Sequence, residues 1–203
     1  RAPKTAKDYA AIWMEGGSPL KVYADRVQLS LQNSFNEANE DVLVLNGMAY
    51  SQPFISEAMA QLEQEGRDEI VVIPMFPQYS TATTASVFEA VNEAASKWEI
   101  SPKLHFVNDL YAEPAFVRAW SILITRHLKE EEIDHVIFSY HGMPEQAILK
   151  ADDANHCRFG VCCQQISDKN ELCYRAQCIA TTRSITEALA WERDEYSIAF
   201  QSR

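Results

Sequence analysis

The chain has 203 residues, 47% of them hydrophobic, which is enough for at least one globular domain with a full core. Its 29 acidic side chains outnumber the 18 of lysine and arginine, so the formal net charge is −11. This balance argues against a nucleic-acid partner, which requires a basic face, although a pocket for a small anion can carry local charge of the opposite sign. There is no signal-peptide pattern, and no apolar run approaches the roughly 20 residues that cross a bilayer.

Both ends of the chain have the character of a fragment. It begins Arg1-Ala2-Pro3-Lys4 without an initiator methionine, and it ends Phe200-Gln201-Ser202-Arg203 inside a predicted strand. We therefore expect further sequence on both sides.

Three helices and one buried strand are predicted in the first third of the chain. Residues 5–14 form the first helix, which two glycines end. Ser18 is the predicted N-cap of the second helix and Pro19 its first residue, because a serine oxygen accepts from free N–H groups and proline needs no donor there. The second helix then runs to about residue 35, residues 41–48 contain the strand Val42-Leu43-Val44-Leu45, and residues 53–65 form an amphipathic helix.

The rest of the chain alternates strands and helices. The predicted strands are residues 69–76, 103–108, 134–141 and 196–201, and the predicted helices are residues 84–97, 113–129 and 175–192. The apolar runs within residues 69–76 and 134–141 predict buried strands. This alternation indicates βαβ units, a parallel sheet and helices on both of its faces. The carboxyl ends of the strands then share one edge, which brings Tyr50, the hydroxyl-rich loop 77–84 and His141 toward a common crevice.

The apolar run that ends at His141 is the most informative strand. Gly142 follows it at once, and Pro144 cannot continue a central strand, so the imidazole lies at the carboxyl end. In an open α/β sheet this edge binds ligands. A capped strand with a hydrogen-bonded structural histidine is the alternative that the pattern leaves open.

All five cysteines lie between Cys157 and Cys178, in a segment with weak secondary-structure pattern. A secreted disulfide domain would spread its cysteines, so this clustering indicates a metal or iron–sulfur site in a reducing compartment, and we expect a cytoplasmic protein. Zinc and a [2Fe–2S] cluster are both bound by four thiolates, and the spacing fits neither a two-CxxC ribbon nor the plant-type ferredoxin pattern.

Six segments resemble the ferrochelatase family and occur in the order of that family. They are Glu15-Gly16-Gly17-Ser18-Pro19-Leu20, Gly47-Met48-Ala49-Tyr50, residues 76–84, Tyr140-His141-Gly142-Met143-Pro144, Thr181-Thr182-Arg183 and Phe200-Gln201-Ser202-Arg203. The resemblance covers essentially the whole chain. It implies an enzyme, a lyase that inserts Fe²⁺ into protoporphyrin IX to make protohaem in the terminal step of haem biosynthesis.

The resemblance also assigns residues. His141 matches the histidine of the family, which implies proton abstraction, handling of the Fe²⁺ substrate, or both. Met14, Tyr50, Phe76 and Tyr79 lie in or beside the matching segments and are candidates to line an apolar porphyrin slot. The family often has arginine or serine where Ala49 stands, so this position is a weak candidate for contact with a propionate.

The family fold implied is a three-layer, flavodoxin-like parallel sheet in each of two similar lobes. On this basis residues 1–145 are the first lobe without its N-terminal strand, residues 146–180 a cysteine-rich insert, and residues 181–203 the start of the second lobe. The glutamate that pairs with the histidine across the cleft would lie beyond Arg203, so we expect the fragment alone to be inactive.

Some ferrochelatases carry a [2Fe–2S] cluster through an internal cysteine insert, and this resemblance favours the cluster over zinc. The expected ligands are Cys157, Cys162, Cys173 and one of Cys163 or Cys178. A structural or sensing role is expected for such a cluster.

Three functional alternatives remain at this point. A coproporphyrin chelatase or a cobalt chelatase would use the same fold, and an iron–sulfur electron-transfer or sensing module would explain the cysteines but not residues 141–144. The expected partners are a porphyrin and ferrous iron, and no nucleic acid. Peripheral membrane association and the oligomeric state are left open.

Overall fold

The computed structural model describes residues 2–129 and 133–201, so Ser202 and Arg203 of the last matching segment lie outside the described residues. The helices are α1 (Ala2–Ile12), α2 (Pro19–Glu37), α3 (Ile55–Gln64), α4 (Ser86–Ala95), α5 (Pro114–Leu128), α6 (Glu145–Lys150) and α7 (Tyr174–Ala188). The strands are β1 (Glu69–Val72), β2 (Lys103–Phe106), β3 (Val136–His141) and β4 (Tyr196–Gln201). None of the helices in these ranges is long and apolar enough to cross a membrane.

The alternation of helices and short parallel strands confirms the α/β class. Strand β3 pairs in parallel with β4, in a register that runs from Val136 opposite Tyr196 to His141 opposite Gln201. Strands β1 and β2 form a second pair. The single continuous sheet expected from the sequence is not formed by the described residues, because no strand among them joins the two pairs.

The chain divides into two compact units. The first contains the chain up to Ile70 together with Ala90–Lys103, and the second contains Val71–Glu89 and the chain from Leu104 onward. In the first unit the Lys103 N–H donates to the Asp68 carbonyl at 2.7 Å, beside a Lys103–Glu69 ion pair of 2.9 Å. The lobe and insert boundaries expected from the resemblance stay a prediction.

In the first unit, the connection between α1 and α2 follows its local sequence. Gly16 and Gly17 adopt φ values of +98° and +130°, a region that disfavours any residue with a Cβ. Ser18 is extended, at φ −65° and ψ 150°, and its hydroxyl accepts from the Lys21 N–H at 3.2 Å while Pro19 begins the helix. The predicted N-cap and helix start are confirmed.

Removing this cap gives a direct stability prediction. Ser18→Ala should lower the free energy of unfolding by about 1 kcal/mol, because one N–H at the helix start loses its acceptor. Ser34→Ala is the matched control, since the Ser34 hydroxyl bonds only the Ser30 carbonyl of its own helix. Chemical denaturation of the full-length protein measures both variants, and equal losses would contradict the capping role.

The buried strand predicted at residues 41–48 is wrong. Its backbone pairs with amide side chains of α2 in place of a neighbouring strand. Gln32 accepts from the Val44 N–H at 2.9 Å and donates to the Val42 carbonyl at 2.8 Å, and Gln28 donates to the Val44 carbonyl at 2.9 Å. A strand requires a backbone partner, and glutamine side chains satisfy these groups without forming a ladder.

Strand β3 is covered on one face only, so the prediction that it is a buried strand is wrong. Along β3 the covered side chains alternate with exposed ones, and Ile137 is 62% exposed. Ile73, predicted to continue the first strand of this region, lies after its end at Val72 and is 48% exposed. Alternate side chains point to opposite faces, and an apolar run in the sequence does not show whether both faces are covered.

The core of the second unit lies where α7 packs on the cysteine-rich region. Cys163, Ala176 and Ile179 form its buried centre. Partly buried apolar side chains surround them, namely Cys162, Ile166, Cys173 and Ile198. Helix α7 is therefore the central element of this unit, and eight of its 15 residues are buried.

Candidate active site

The structure places His141 at the carboxyl end of β3, as predicted. The last residue pair of the ladder joins it to Gln201, and the next backbone N–H, of Gly142, donates to the Gln201 carbonyl at 2.6 Å. The strand alternation puts Ile137, Ser139 and His141 on the exposed face. An exposed imidazole at a strand end can meet a ligand that arrives from solvent.

The neighbouring Tyr140 lies on the covered face of the same strand. Its hydroxyl is 2.8 Å from the Thr182 hydroxyl oxygen on α7, and its ring lies 5.8 Å from that of Phe200. Burial raises the pKa of Tyr140 to about 12, so the phenol stays neutral near pH 7. Tyr140 therefore anchors the strand to α7, and the chemistry of this edge is left to His141.

The backbone of His141 is held by the start of α7. The Tyr174 hydroxyl donates to the His141 carbonyl oxygen at 3.0 Å. Burial raises the pKa of Tyr174, which keeps this hydroxyl protonated and able to donate. Because Tyr174 directly follows Cys173, the cysteine-rich region and the histidine are connected through one hydrogen bond.

The loop that follows β1 is fixed by the same helix. The Tyr79 N–H donates to the Gln177 side-chain oxygen at 2.6 Å, and the Gln78 amide donates to the Thr181 hydroxyl at 2.9 Å. The loop then enters a π-helical turn, Thr81–Ala85, that begins the predicted helix earlier than its regular α-helical part. Helix α7 thus contacts both the strand end with His141 and the loop with Tyr79.

The four slot candidates are divided between the units. Met14 and Tyr50 belong to the first unit, where Met14 forms a short antiparallel bridge with Gly17 and Tyr50 is 92% exposed. Phe76 and Tyr79 belong to the second unit, where Phe76 is 42% exposed and Tyr79 is half-buried. Exposed aromatic side chains are available to a flat apolar ligand, and their part in a porphyrin slot stays a prediction.

Tyr174 and Gln177 are site residues that the sequence analysis missed. Each of them bonds a backbone atom far away in the chain, and neither matches a catalytic motif. The available signal was a polar stripe on a helix, with Tyr174, Gln177 and Thr181 at spacings of three and four. Polar side chains on the buried face of a helix need partners, and their position next to matching segments could have identified them.

The five thiols are free cysteines, and Cys162, Cys163 and Cys173 all act on the ionisation of Cys157. The Sγ atoms of Cys162 and Cys163 are 3.7 Å apart. Burial and then the charge of Cys162 raise the pKa of Cys157 to about 11. Burial, helped by the charge of Cys163, raises the pKa of Cys173, although a hydrogen bond from the Ala176 backbone acts against this rise. Burial also opposes ionisation of Cys162, but the Arg158 N–H, which donates to its Sγ at 3.1 Å, helps to lower its pKa.

Cys178 has different surroundings. It is completely buried on α7, where burial raises its pKa to about 12 and the Tyr174 hydroxyl is its hydrogen-bond partner. Its thiol therefore faces the tyrosines behind His141, while Cys163 lies against Cys162.

Polar side chains organise the chain around these thiols. The Asp152 carboxylate accepts from the Cys157 N–H at 2.7 Å and from the His156 N–H at 3.0 Å, and these bonds lower its pKa. Buried Asn170 donates to the Cys162 carbonyl at 2.8 Å and accepts from the Ser167 N–H. The soft donors suit zinc or an iron–sulfur cluster, but no three histidine, cysteine or carboxylate side chains in the described part of the chain are arranged to hold a metal ion.

Taken together, these features define an α/β protein of chelatase type, with a histidine at the carboxyl edge of a parallel strand pair and a long buried helix behind it. The family model for ferrochelatase matches residues 1–203. The chain belongs to the ferrochelatase family, and the resemblance noted in the sequence is confirmed.

Curated relatives named ferrochelatase support the assignment. The chain is 37% identical to one from Bdellovibrio bacteriovorus over 203 residues, which is 100% of this chain and 59% of the relative. It is 36% identical to one from Coxiella burnetii over 208 residues, covering 56% of that protein, and 36% identical to one from Legionella pneumophila, covering 59%. The chain thus spans less than two thirds of the length of these relatives.

Proposed function

We propose that the protein containing this chain is a ferrochelatase that inserts Fe²⁺ into protoporphyrin IX and forms protohaem, the terminal step of haem biosynthesis. The observation that supports this most directly is the match of the ferrochelatase family over all 203 residues. The exposed position of His141 at the carboxyl end of β3 supports it from the structure.

In the proposed chemistry, His141 accepts the protons that the pyrrole nitrogens release. Metal insertion forms four Fe–N bonds and releases two pyrrole protons, so a base must lie at the open face of the macrocycle. A neutral imidazole can accept such a proton near pH 7 and can also contact Fe²⁺ through nitrogen. Tyr174 holds the carbonyl of His141 and thereby orients the end of the strand.

We propose that Met14, Tyr50, Phe76 and Tyr79 line the porphyrin slot. A tetrapyrrole offers two flat apolar faces, and aromatic side chains stack on such faces in ligand sites. The exposure of Tyr50 and Phe76 leaves their rings available for this contact.

We further propose a [2Fe–2S] cluster as a resident cofactor, with zinc as the alternative. Cys157, Cys162, Cys163 and Cys173 would hold it, because the other three all act on the ionisation of Cys157, whereas the hydrogen-bond partner of Cys178 is Tyr174. Bound there, such a cluster would supply structural or sensing chemistry. The clustered free thiols also support our proposal of a reducing, cytoplasmic location.

The lobe assignment follows as a proposal as well. Residues 1–145 would belong to the first lobe, residues 146–180 to the insert, and residues 181–203 to the start of the second lobe.

A metallation assay on the full-length protein tests the function. Without oxygen, Fe²⁺ and protoporphyrin IX should be converted to protohaem, which is measured by the loss of porphyrin fluorescence and the appearance of the haem spectrum. Parallel reactions with coproporphyrin and with Co²⁺ separate the two alternative chelatases. Turnover of neither porphyrin, in protein that shows an iron–sulfur spectrum, would instead support an electron-transfer or sensing module.

A further inference from the structure

Helix α7 contains a fully buried amide side chain, Gln177, for which the proposed chemistry has no role. None of its surface is accessible to solvent. Burying an amide costs stability unless its hydrogen-bonding groups find partners. The partners of Gln177 therefore show what this side chain does.

Three separate stretches of the chain meet at Gln177. Its Oε1 accepts from the Tyr79 N–H at 2.6 Å. Its Nε2 donates to the Asp109 carboxylate at 2.8 Å and to the Glu171 carbonyl at 2.7 Å. The first partner is in the loop after β1, the second follows β2, and the third is in the cysteine-rich region.

These partners determine the orientation of the amide. A carboxylate and a backbone carbonyl only accept, so both must face the NH₂ group, and the oxygen is then directed at the Tyr79 N–H. Burial raises the pKa of Asp109, and the bond from Gln177 acts against this effect, which favours the ionised acceptor. Glutamine thus satisfies a donor requirement on one side and an acceptor requirement on the other.

The next turn of α7 strengthens the same attachment. The Thr181 hydroxyl accepts from the Gln78 amide at 2.9 Å and donates to the Tyr111 carbonyl at 2.9 Å. Two successive loop residues, Gln78 and Tyr79, are therefore bound to two successive turns of one buried helix.

We propose that Gln177 is a positioning residue that sets Tyr79 for porphyrin binding. It contacts the backbone of Tyr79, so it acts through this residue, and His141 is held independently by Tyr174. The inference rests on the proposed function, in which Tyr79 lines the porphyrin slot. It separates the two parts of the site: loss of Gln177 weakens porphyrin binding, and loss of His141 removes the chemistry.

Gln177→Leu tests whether binding and chemistry separate in this way, because leucine fills much of the same space with an apolar side chain and removes all three hydrogen bonds. The KM for porphyrin should rise about tenfold, the effect of leaving a buried N–H without its acceptor, while kcat changes less than about threefold. Fluorescence titration of porphyrin without iron measures the binding directly. Gln146→Leu, on the exposed surface of α6, is the matched control and should leave both constants unchanged.

A reciprocal exchange guards against simple misfolding. Gln177→Glu places a second carboxylate against Asp109 and should weaken porphyrin binding as much as Gln177→Leu. Adding Asp109→Asn returns a donor to the pair with the direction reversed, and the new carboxylate still accepts from the Tyr79 N–H. The double variant should recover part of the porphyrin binding lost in Gln177→Glu, since the pair is hydrogen-bonded again, while the Glu171 carbonyl, 2.7 Å from the replaced Nε2, still lacks its donor.

Hydrogen–deuterium exchange of the full-length protein gives a readout that does not need the reaction. The Tyr79 amide should exchange faster in Gln177→Leu and return toward the wild-type rate in the double variant. An unchanged KM with unchanged exchange at Tyr79, or a fall in kcat alone, would overturn the inference. A wild-type protein that neither binds nor metallates porphyrin would overturn the proposed function, and the exchange measurement would still decide the role of Gln177.

Discussion

Replacing His141 with alanine in the full-length protein is expected to abolish porphyrin metallation and to leave porphyrin binding largely intact. The imidazole is the group proposed to take the pyrrole protons, and a positioned acid–base group contributes at least about 100-fold to rate. The apolar slot supplies most of the binding energy for a flat macrocycle, so the titration of porphyrin without iron should change little. Haem formation under saturating porphyrin and Fe²⁺ measures the loss.

His135→Ala is the matched control for this experiment. His135 lies just before β3, and its ring nitrogens are within hydrogen-bonding distance of the Asp194 carbonyl at 3.0 Å and the Ser197 hydroxyl at 3.1 Å. These contacts join the starts of β3 and β4, so their loss should affect stability modestly and turnover little. Near-normal turnover in His141→Ala, or equal losses in the two variants, would refute the assignment of His141.

The parts of the fold that were predicted correctly depend on local interactions. Ser18 and Pro19 define a helix start within four residues, and the end of β3 at His141 is marked by the glycine and proline that follow. The strand predicted at residues 41–48 is wrong because the side chains there fit a strand pattern, whereas strand formation also depends on a distant backbone partner. The predicted burial of Val71 and Ile73 is wrong for the same reason, since elements elsewhere in the chain determine which side chains of a strand are covered.

The site was predictable to a similar extent. His141 and the loop with Tyr79 lie in matching segments, so the sequence identifies them. Gln177 and Tyr174 act on backbone atoms 98 and 33 positions away, and no spacing rule connects residues at such distances. Their residue types nevertheless gave a signal, because polar side chains on a helix rich in buried positions must be satisfied by other parts of the chain.

The cysteines give the second large expected effect. If they hold a [2Fe–2S] cluster, full-length protein purified without oxygen should be brown and contain iron and sulfide in equal amounts. Cys173→Ser should bleach the protein, because thiolate ligands are kept ionised by the metal and the loss of one exposes the others to oxidation. Visible absorption and iron and sulfide analysis measure the result.

Cys178→Ser is the control that the structure selects. Its thiol is completely buried and has the Tyr174 hydroxyl as its hydrogen-bond partner, so the serine variant should stay brown. Bleaching by Cys178→Ser but not by Cys163→Ser would reverse the ligand assignment between these two residues.

Loss of the cluster should also lower the metallation activity, because Cys173 directly precedes Tyr174 and the Tyr174 hydroxyl donates to the His141 carbonyl. Metallation by Cys173→Ser should therefore fall, and the fall should be smaller than for His141→Ala because the imidazole itself is still present. Tyr174→Phe separates the two effects: it should remain brown yet lose part of its turnover. Colourless wild-type protein with one bound zinc and no sulfide would show that the cysteines bind zinc and not a cluster. The role of His141 would be unchanged.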